Sequence, residues 1–359
     1  LGVALVTSGP GSTNAITGVA GAWIESTPLI IISGQVKTKD LKKKKKIRQF
    51  GPQEVDITKM TRSITKYCKT FTSKKNIIEK IRDSIGHCLS GRNGPIWLDI
   101  PLDIQSGLIK VKKNDLKKIK IKKQNFEIPV KKINSLINSS KKPLILAGHG
   151  IRLSDGKNEF KKFINKTKIP FITTWNSIDL IEYENKLNLG SPGVVARRNS
   201  NFAVQKCDLL ISIGSSVNKI LTAFNEKNFA KNAKKIIVDI DKNQLVNLHL
   251  KDSLKIKSDS RFFLKSLNKN IKINNQSNFN KWRSWCLSLK KEYENEIFKK
   301  SLNKRNIDHY YFTQKLSEIL KENTVISTGS SGLGVEIFYT FFKCKKNQRV
   351  FNGQKGQKF

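Results

Sequence analysis

The feature that most constrains this chain is the alternation of short β-branched runs with helical stretches. Between Val3 and Ile104 the runs VALVT, PLIIISG and PIWLDIP are separated by helical sequence, notably Asn76 to Leu89, where apolar residues recur at helical spacing. Near-continuous apolar runs of this kind are typical of strands in parallel sheets that are covered on both faces. The pattern predicts βαβ units and an α/β fold with a doubly wound parallel sheet.

A second α/β unit of the same kind follows. Four further apolar runs are bounded by turn residues and separated by helical or loop segments, which again predicts a doubly wound sheet. The predicted strands are Pro143 to Gly148, Pro170 to Thr174, Asp208 to Gly214 and Lys235 to Asp241.

Changes in composition along the chain predict three consecutive domains. A lysine-rich, weakly apolar stretch from Gln105 to about Val130 is of the sort that crosses solvent between domains. After Ile256 a polar stretch leads to a helix around Trp282 to Phe298 and then to a helix, strand and turn. The predicted domains are residues 1–125, 126–270 and 271–359.

The formal net charge is +40, from 68 Lys+Arg against 28 Asp+Glu, which would ordinarily suggest nucleic acid or an anionic surface as partner. The excess is mostly lysine and is not interleaved with stacking aromatic residues. Composition bias in the gene explains it more simply, so nucleic acid is not expected as a partner. The rival function is a non-catalytic anion-binding or nucleic-acid-binding protein that uses the lysines of Lys42 to Lys46 and Lys110 to Lys123.

The five cysteines are odd in number, scattered and without CxxC spacing, which argues against a disulfide framework or a zinc site. A reducing cytoplasm is the expected location. No apolar run reaches the roughly 18 residues needed to cross a bilayer, so no membrane association is expected.

The most informative segment runs from Val6 to Val36 and reads as strand, turn, helix and strand. Gly9, Pro10 and Gly11 permit a tight turn, and Ser12, Thr13 or Asn14 can cap the helix that follows. A helix N-terminus suits an anionic or polar ligand. Taken alone, this motif is more simply a capped helix after a turn.

The whole segment, however, resembles the SGPGATN…S-x-P-L…G-Q signature of acetolactate synthases and related thiamine-diphosphate enzymes. The blocks FGPQEVDITKMTRSITKY (Phe50 to Tyr67) and SGRNGPIWLDIPLDIQ (Ser90 to Gln105) resemble two further blocks of that family, in the same order. The chain is therefore identified as similar to the large subunit of acetolactate synthase. It is expected to be truncated at both ends, because it opens at Leu1 directly on a strand and its third domain is cut off soon after it begins.

The resemblance implies roles for particular residues. Pro10, Gly11 and Asn14 would bind the aminopyrimidine of thiamine diphosphate, and Gln53 would lie near the thiazolium and the substrate. The alternative for Gln53 is a surface polar residue in a loop. The three domains would be pyrimidine-binding, central and pyrophosphate-binding, and in the last of these Gly329, Ser330 and Ser331 would face the diphosphate, although the family's GQHQ-type turn is missing.

Segments AGHGIR (Ala147 to Arg152) and NFAVQKCDLLISIGSSV (Asn201 to Val217) resemble the family's central domain, where some relatives bind flavin adenine dinucleotide (FAD). Arg92 occupies the position of an arginine that contacts the flavin in those relatives. The family's R-F-D-D-R run is replaced by residues 216–218, SVN, which argues against FAD. A nicotinamide site at Gly214 and Ser215, with the acids Asp239 and Asp241 after the next strand, stays open as an alternative, but it lacks a GxGxxG motif.

The resemblance also implies a reaction and an assembly. A 2-oxo acid such as pyruvate would be decarboxylated and joined to a second carbonyl acceptor, as in branched-chain amino acid biosynthesis, by a homodimer or tetramer. The runner-up is another decarboxylase or carboligase, for example in surface-sugar synthesis.

Two parts of the family's machinery have no match in this sequence. The glutamate that activates the cofactor would lie upstream of Leu1, and the GDG…N motif that holds Mg²⁺ has no counterpart. The chain alone is therefore expected to be inactive. The residues after Phe351 depart from the family's pattern, which suggests an abrupt break or a sequence error, and whether they are genuine stays open.

Overall fold

The structure is a computed structural model that describes residues 1–42, 46–111, 119, 121, 124–273, 279–301, 307–329 and 332–351, without the side chains of 295–301 and 333. The chain divides into two compact units, Leu1–Gln124 and Asn125–Asn352. The division into three domains stays a prediction. Most of the lysine-rich runs assigned to the rival function, including residues 43–45 and 112–118, lie outside the described residues.

The first unit is built on a four-stranded sheet with the strand order β1-β2-β4-β3. All neighbouring strands are parallel, as the βαβ pattern predicts. The strands are β1 (Gly2–Val6), β2 (Leu29–Gln35), β3 (Tyr67–Thr70) and β4 (Ile96–Pro101). The register aligns Val6 with Ser33 and Ser33 with Asp99, so the carboxyl ends of β1, β2 and β4 form one edge.

Helices connect these strands. They are α1 (Pro10–Asn14), α2 (Ile16–Glu25), α3 (Ile57–Thr61), α4 (Ile77–Leu89) and α5 (Leu102–Gln105), with 3₁₀ turns at Thr38–Asp40 and Arg62–Ile64. The predicted helix from Asn76 to Leu89 is confirmed as α4. Its residues Ile77, Ile81 and Ile85 recur every fourth position and pack on the buried strand residues Ile96 and Leu98.

The second unit contains a five-stranded parallel sheet with the order β6-β5-β7-β8-β9. Its strands are β5 (Pro143–Ala147), β6 (Phe171–Thr173), β7 (Leu209–Ile213), β8 (Lys234–Asp239) and β9 (Ser253–Lys257). The first four are the predicted strands, whereas β9 was not predicted. Ile145 and Ile211 contribute to one apolar cluster, and Leu144 and Leu210 contribute to another. Both faces of the sheet are therefore covered, which confirms the doubly wound α/β fold.

Helices flank this sheet, and a smaller parallel pair follows it. The helices are α6 (Val130–Ser139), α7 (Gly150–Leu153), α8 (Lys157–Thr167), α9 (Arg198–Lys206), α10 (Lys242–Asn247), α11 (Ser260–Asn270), α12 (Asn280–Ser301), α13 (His309–Ile319) and α14 (Phe338–Phe341). Shorter turns lie at Trp175–Ser177, Glu226–Asn228 and, as a π-helical turn, Leu333–Ile337. The pair is β10 (Val325–Ser327) with β11 (Arg349–Phe351). Within the part of the chain that the structure describes, no helix has the length and apolar character needed to cross a membrane.

Candidate functional site

The glycine-proline turn after β1 lies in direct contact with the loop that carries Gln53. Gly9 has a φ of +60° and a ψ of −118°, a conformation that favours glycine. A Cβ atom on Gly9 would lie 2.5 Å from the carbonyl oxygen of Gln53 and 3.0 Å from the Cβ of Gln53. Two sequence blocks that were assigned separately to the site therefore meet.

Helix α1 begins at Pro10, earlier than the sequence pattern predicted. Gly9 is its N-cap residue, and no side chain caps it. The expectation that Ser12, Thr13 or Asn14 caps the helix that follows them is wrong, because proline at the first helical position places all three inside α1, and α2 begins after Ala15 without a side-chain cap. Ser12 is buried instead, and its hydroxyl donates to the carbonyl oxygen of Thr7 at 2.6 Å.

Close packing also explains the second glycine of the turn. A Cβ atom on Gly11 would lie 2.5 Å from the Cγ2 atom of Thr7. The side chains of Pro10, Asn14 and Gln53 are exposed. This turn follows the carboxyl end of β1, which is the edge where parallel α/β sheets bind their ligands. The predicted pyrimidine-binding residues Pro10, Gly11 and Asn14 thus lie with Gln53 at one accessible edge.

A buried acid that sequence reasoning did not single out lies beneath this edge. Asp99 is 1% exposed, and it accepts hydrogen bonds from Ser33 (2.7 Å), Thr70 (2.9 Å) and Gln35 (3.2 Å). Burial raises the pKa of Asp99, although these hydrogen bonds act in the opposite direction. The signal that could have found it is an acid inside the otherwise apolar strand IWLDIP.

Arg92 lies near the amino ends of β2 and β4, opposite the carboxyl ends where the Gly9 turn lies. It precedes β4, and its Nε donates to the Ser26 hydroxyl at 2.7 Å, just before β2 begins. The structure therefore does not bring Arg92 together with the turn at Gly9. Its flavin role stays a prediction.

The predicted diphosphate residues belong to the second unit. Gly329 follows β10 and is exposed, and a Cβ atom added to it would meet nothing within 4 Å. Ser330 and Ser331 lie outside the described residues. Among the described residues, no group of three or more His, Cys, Asp or Glu side chains could hold a metal ion.

Glycines that follow β5 and β7 bring the two loops of the central sheet into backbone contact. The amide of Gly150 donates to the carbonyl oxygen of Gly214 at 2.9 Å, and a Cβ atom on Gly148 would lie 2.1 Å from that oxygen. These glycines therefore allow the loops after β5 and β7 to pack backbone against backbone. Between them lies His149, whose Nδ1 is 2.9 Å from the carbonyl oxygen of Asn176.

The burial of His149 predicts an acid-dependent loss of stability. Burial and the nearby charge of Arg349 lower the pKa of His149 from 6.5 to about 4. Between these two values the unfolded chain binds a proton that the folded chain resists, so stability falls as the pH drops from 6.5 towards 4. We expect the loss to reach about 3 kcal/mol.

This pH effect is measured by urea unfolding at several pH values in wild type and in His149→Asn. The loss between pH 6.5 and 4 should be smaller in the variant by about that amount. His249→Asn, at an exposed histidine of the same unit, should keep the wild-type pH profile. Parallel pH profiles for wild type and His149→Asn would contradict the prediction.

Comparison with protein families agrees with this arrangement. Residues 1–60 match the thiamine pyrophosphate enzyme N-terminal TPP binding domain, which includes the turn, α1 and Gln53. Residues 130–267 match the thiamine pyrophosphate enzyme central domain, which includes the whole five-stranded sheet. Together these two matches cover more than half of the chain.

Similar proteins carry related names. A probable acetolactate synthase large subunit of Methanocaldococcus jannaschii is 31% identical over 91% of this chain and 56% of the relative. Acetolactate synthase 1, chloroplastic, of Nicotiana tabacum is 29% identical over 91% of this chain and 48% of the relative. The acetolactate synthase large subunit of Lactococcus lactis is 31% identical over 79% of this chain and 48% of the relative.

This chain spans about half the length of the curated relatives that it matches. Both family matches nevertheless fall on parallel strands: residues 1–60 contain β1 and β2, and residues 130–267 contain β5 to β9. The chain therefore belongs to the thiamine pyrophosphate enzyme family, which confirms the family predicted from its sequence.

Proposed function

We propose that this chain is the part of a thiamine-diphosphate-dependent enzyme that binds the aminopyrimidine of the cofactor, and that the enzyme decarboxylates pyruvate and joins the remainder to a second 2-oxo acid. The observation that carries the proposal is the contact between the Gly9 turn and Gln53 at the carboxyl edge of the first sheet. The names of the similar proteins support acetolactate as the product.

The residues at this edge fit the pyrimidine half of the cofactor. Asn14 carries a carboxamide, which offers both a donor and an acceptor to the nitrogen atoms of an aminopyrimidine. In the turn that leads to Asn14, Pro10 is exposed and Gly11 is partly exposed. When bound, the cofactor supplies an electron sink for the loss of CO₂. Gln53 then orients the 2-oxo acid through its carboxamide.

The proposal extends to the remaining components. Gly329, Ser330 and Ser331 would face the diphosphate, which Mg²⁺ accompanies in this family. FAD is not required, because the run SVN replaces the flavin-binding arginines. The enzyme is a homodimer or tetramer in a reducing cytoplasm. The five cysteines, of which none forms a disulfide, support that location.

The test uses the protein in the longest form that its gene encodes, with thiamine diphosphate, Mg²⁺ and pyruvate. CO₂ release and acetolactate are followed together, with and without FAD. Equal production of acetolactate in both cases is the expected result. CO₂ without acetolactate would indicate another decarboxylase or carboligase, and an absolute need for FAD would overturn the assignment of the flavin site. No CO₂ from any 2-oxo acid would refute the proposed reaction.

Gln53 provides a test within the site. Gln53→Ala removes a carboxamide without disturbing the backbone that contacts Gly9, so folding should be retained. We expect kcat/KM for pyruvate to fall about tenfold or more, which corresponds to the loss of one oriented hydrogen bond. Gln205→Ala, at an exposed position of α9, is the matched control and should keep the wild-type value. Equal kcat/KM in both variants would mean that Gln53 is only a surface residue.

A further inference from the structure

The loop that carries Gln53 runs from β2 to α3, over residues 36–56. Among its described residues the regular structure is one 3₁₀ turn, Thr38–Asp40. The amides of such a loop need acceptors other than a neighbouring strand or their own helix. Acidic side chains supply several of them, beginning with Asp103, which accepts from the amide (2.9 Å) and the hydroxyl (2.5 Å) of Thr38.

Glu54, the residue after Gln53, supplies acceptors at the other end of the loop. It is 6% exposed. Its Oε1 accepts from the amide of Lys42 at 2.6 Å, and its Oε2 accepts from the amides of Phe50 at 3.0 Å and Gly51 at 3.2 Å. A buried carboxylate is costly unless it is hydrogen-bonded, and hydrogen bonds to a charged acceptor are stronger than neutral ones. Both oxygens are used, so the carboxylate joins two parts of the loop.

The next residue, Val55, is anchored to the sheet. Its carbonyl oxygen accepts from Nε2 of Gln35 at 3.1 Å, and the same nitrogen donates to the buried carboxylate of Asp99. Gln53 thus precedes two consecutive anchored residues. Its own φ is +56°, which is uncommon for a residue other than glycine and persists only where the surroundings impose it.

We infer that Glu54 is a positioning residue whose carboxylate holds Gln53 against the glycine turn. The consequence for turnover rests on the proposed function of Gln53. Glu54 lies inside the loop, is buried and bonds only to backbone amides in the contacts described above, so it acts through the backbone and not on a substrate. Its effect on catalysis is therefore to keep the carboxamide of Gln53 in one place.

The informative variant is Glu54→Gln, which keeps the shape of the side chain. A carboxamide has one acceptor oxygen and one donor nitrogen, whereas the site presents amide donors to both positions. The NH₂ group of the new carboxamide then faces a backbone N–H at one of the two positions, where no hydrogen bond can form. The loop should open there, while the apolar core of the unit is unchanged. Glu79→Gln, on the solvent side of α4 with a side chain 53% exposed, is the matched control.

Two readouts are needed, in the longest form of the protein. Hydrogen exchange at the amides of Lys42, Phe50 and Gly51 reports whether the carboxylate of Glu54 protects them. We expect Glu54→Gln to speed exchange about tenfold or more at Lys42, at Phe50 and Gly51, or at all three. Steady-state kinetics with pyruvate should show a fall of similar size in kcat, with a smaller change in KM. Glu79→Gln should leave both readouts at their wild-type values.

The outcomes separate this inference from the proposed function. Unchanged exchange in Glu54→Gln overturns the inference, and so does faster exchange with an unchanged kcat in an active enzyme. If the wild-type protein turns over no 2-oxo acid, the proposed function fails. The exchange rates then decide alone whether Glu54 holds the segment before Gln53 in place.

Discussion

Replacing Gly9 with alanine is expected to lower the free energy of unfolding by about 2–4 kcal/mol. Two costs add at this position. An L-residue at a φ of +60° and a ψ of −118° adopts a conformation that glycine alone reaches easily. The new Cβ would also lie 2.5 Å from the carbonyl oxygen of Gln53, which is backbone and cannot simply rotate away.

The strain has a direction that matters for the site. The carbonyl oxygen of Gln53 can move away from Gly9 only if the loop moves. Hydrogen bonds to Glu54 and Val55, the next two residues, oppose that movement. We therefore expect Gly9→Ala to weaken binding of thiamine diphosphate as well as stability. Urea unfolding measures the first effect, and a calorimetric titration with thiamine diphosphate and Mg²⁺ measures the second.

Gly18→Ala is the matched control because the substitution is the same and the surroundings are opposite. Gly18 lies inside α2, where an added Cβ meets nothing within 4 Å. Alanine has a higher helix propensity than glycine, so this variant should be more stable than wild type by about 0.5–1 kcal/mol. If the two variants changed stability in the same direction, the close approach of Gly9 to Gln53 would be refuted.

The parts of the fold that follow from hydrophobic pattern were predictable. Strands β5 and β7 are fully buried apolar runs, and α4 repeats isoleucine every fourth residue. Two short strands, β3 (YCKT) and β9 (SLKIK), were not predicted, because each contains lysine and resembles a polar connection. Both lie at sheet edges, where lysine is common and where pairing to a neighbouring strand, not composition, makes the strand.

The candidate site was predictable as a set of residues but not as an arrangement. Resemblance to a family supplied Pro10, Gly11, Asn14 and Gln53. Their meeting depends on a loop without repeating pattern, whose path is set by hydrogen bonds between carboxylates and distant amides. No local rule predicts such bonds, since the amide of Lys42 and the carboxylate of Glu54 are unremarkable when read along the chain.

The largest loss of stability is expected at Arg197, a buried arginine of the second unit. Its side chain is 2% exposed and lies 3.6 Å from the carboxylate of Glu294. Its guanidinium donates to the carbonyl oxygens of Thr340 at 2.9 Å and Phe341 at 3.0 Å, which are the last two residues of α14. It also stacks on the ring of Tyr183, 4.3 Å from the centroid.

Arg197→Ala should lower the free energy of unfolding by about 3–5 kcal/mol, the range for breaking a buried ion pair. The loss leaves two helix carbonyls without this donor and removes a positive charge beside Glu294. Arg197→Lys keeps the charge but not the planar fork, so it should recover only part of the stability. Arg198→Ala, at the exposed neighbouring residue, should stay within about 0.5 kcal/mol of wild type.

The same variant tests what Arg197 joins. The arginine precedes α9 in the central sheet region, whereas its carbonyl partners end α14, about 140 residues later along the chain. If this contact couples the two regions, Arg197→Ala should raise the hydrogen-exchange rates of α14 amides more than those of β7, because α14 can then open without unfolding the sheet. An equal rise in both regions would show that α14 and the sheet still unfold together, and that Arg197 contributes stability without being the link between them.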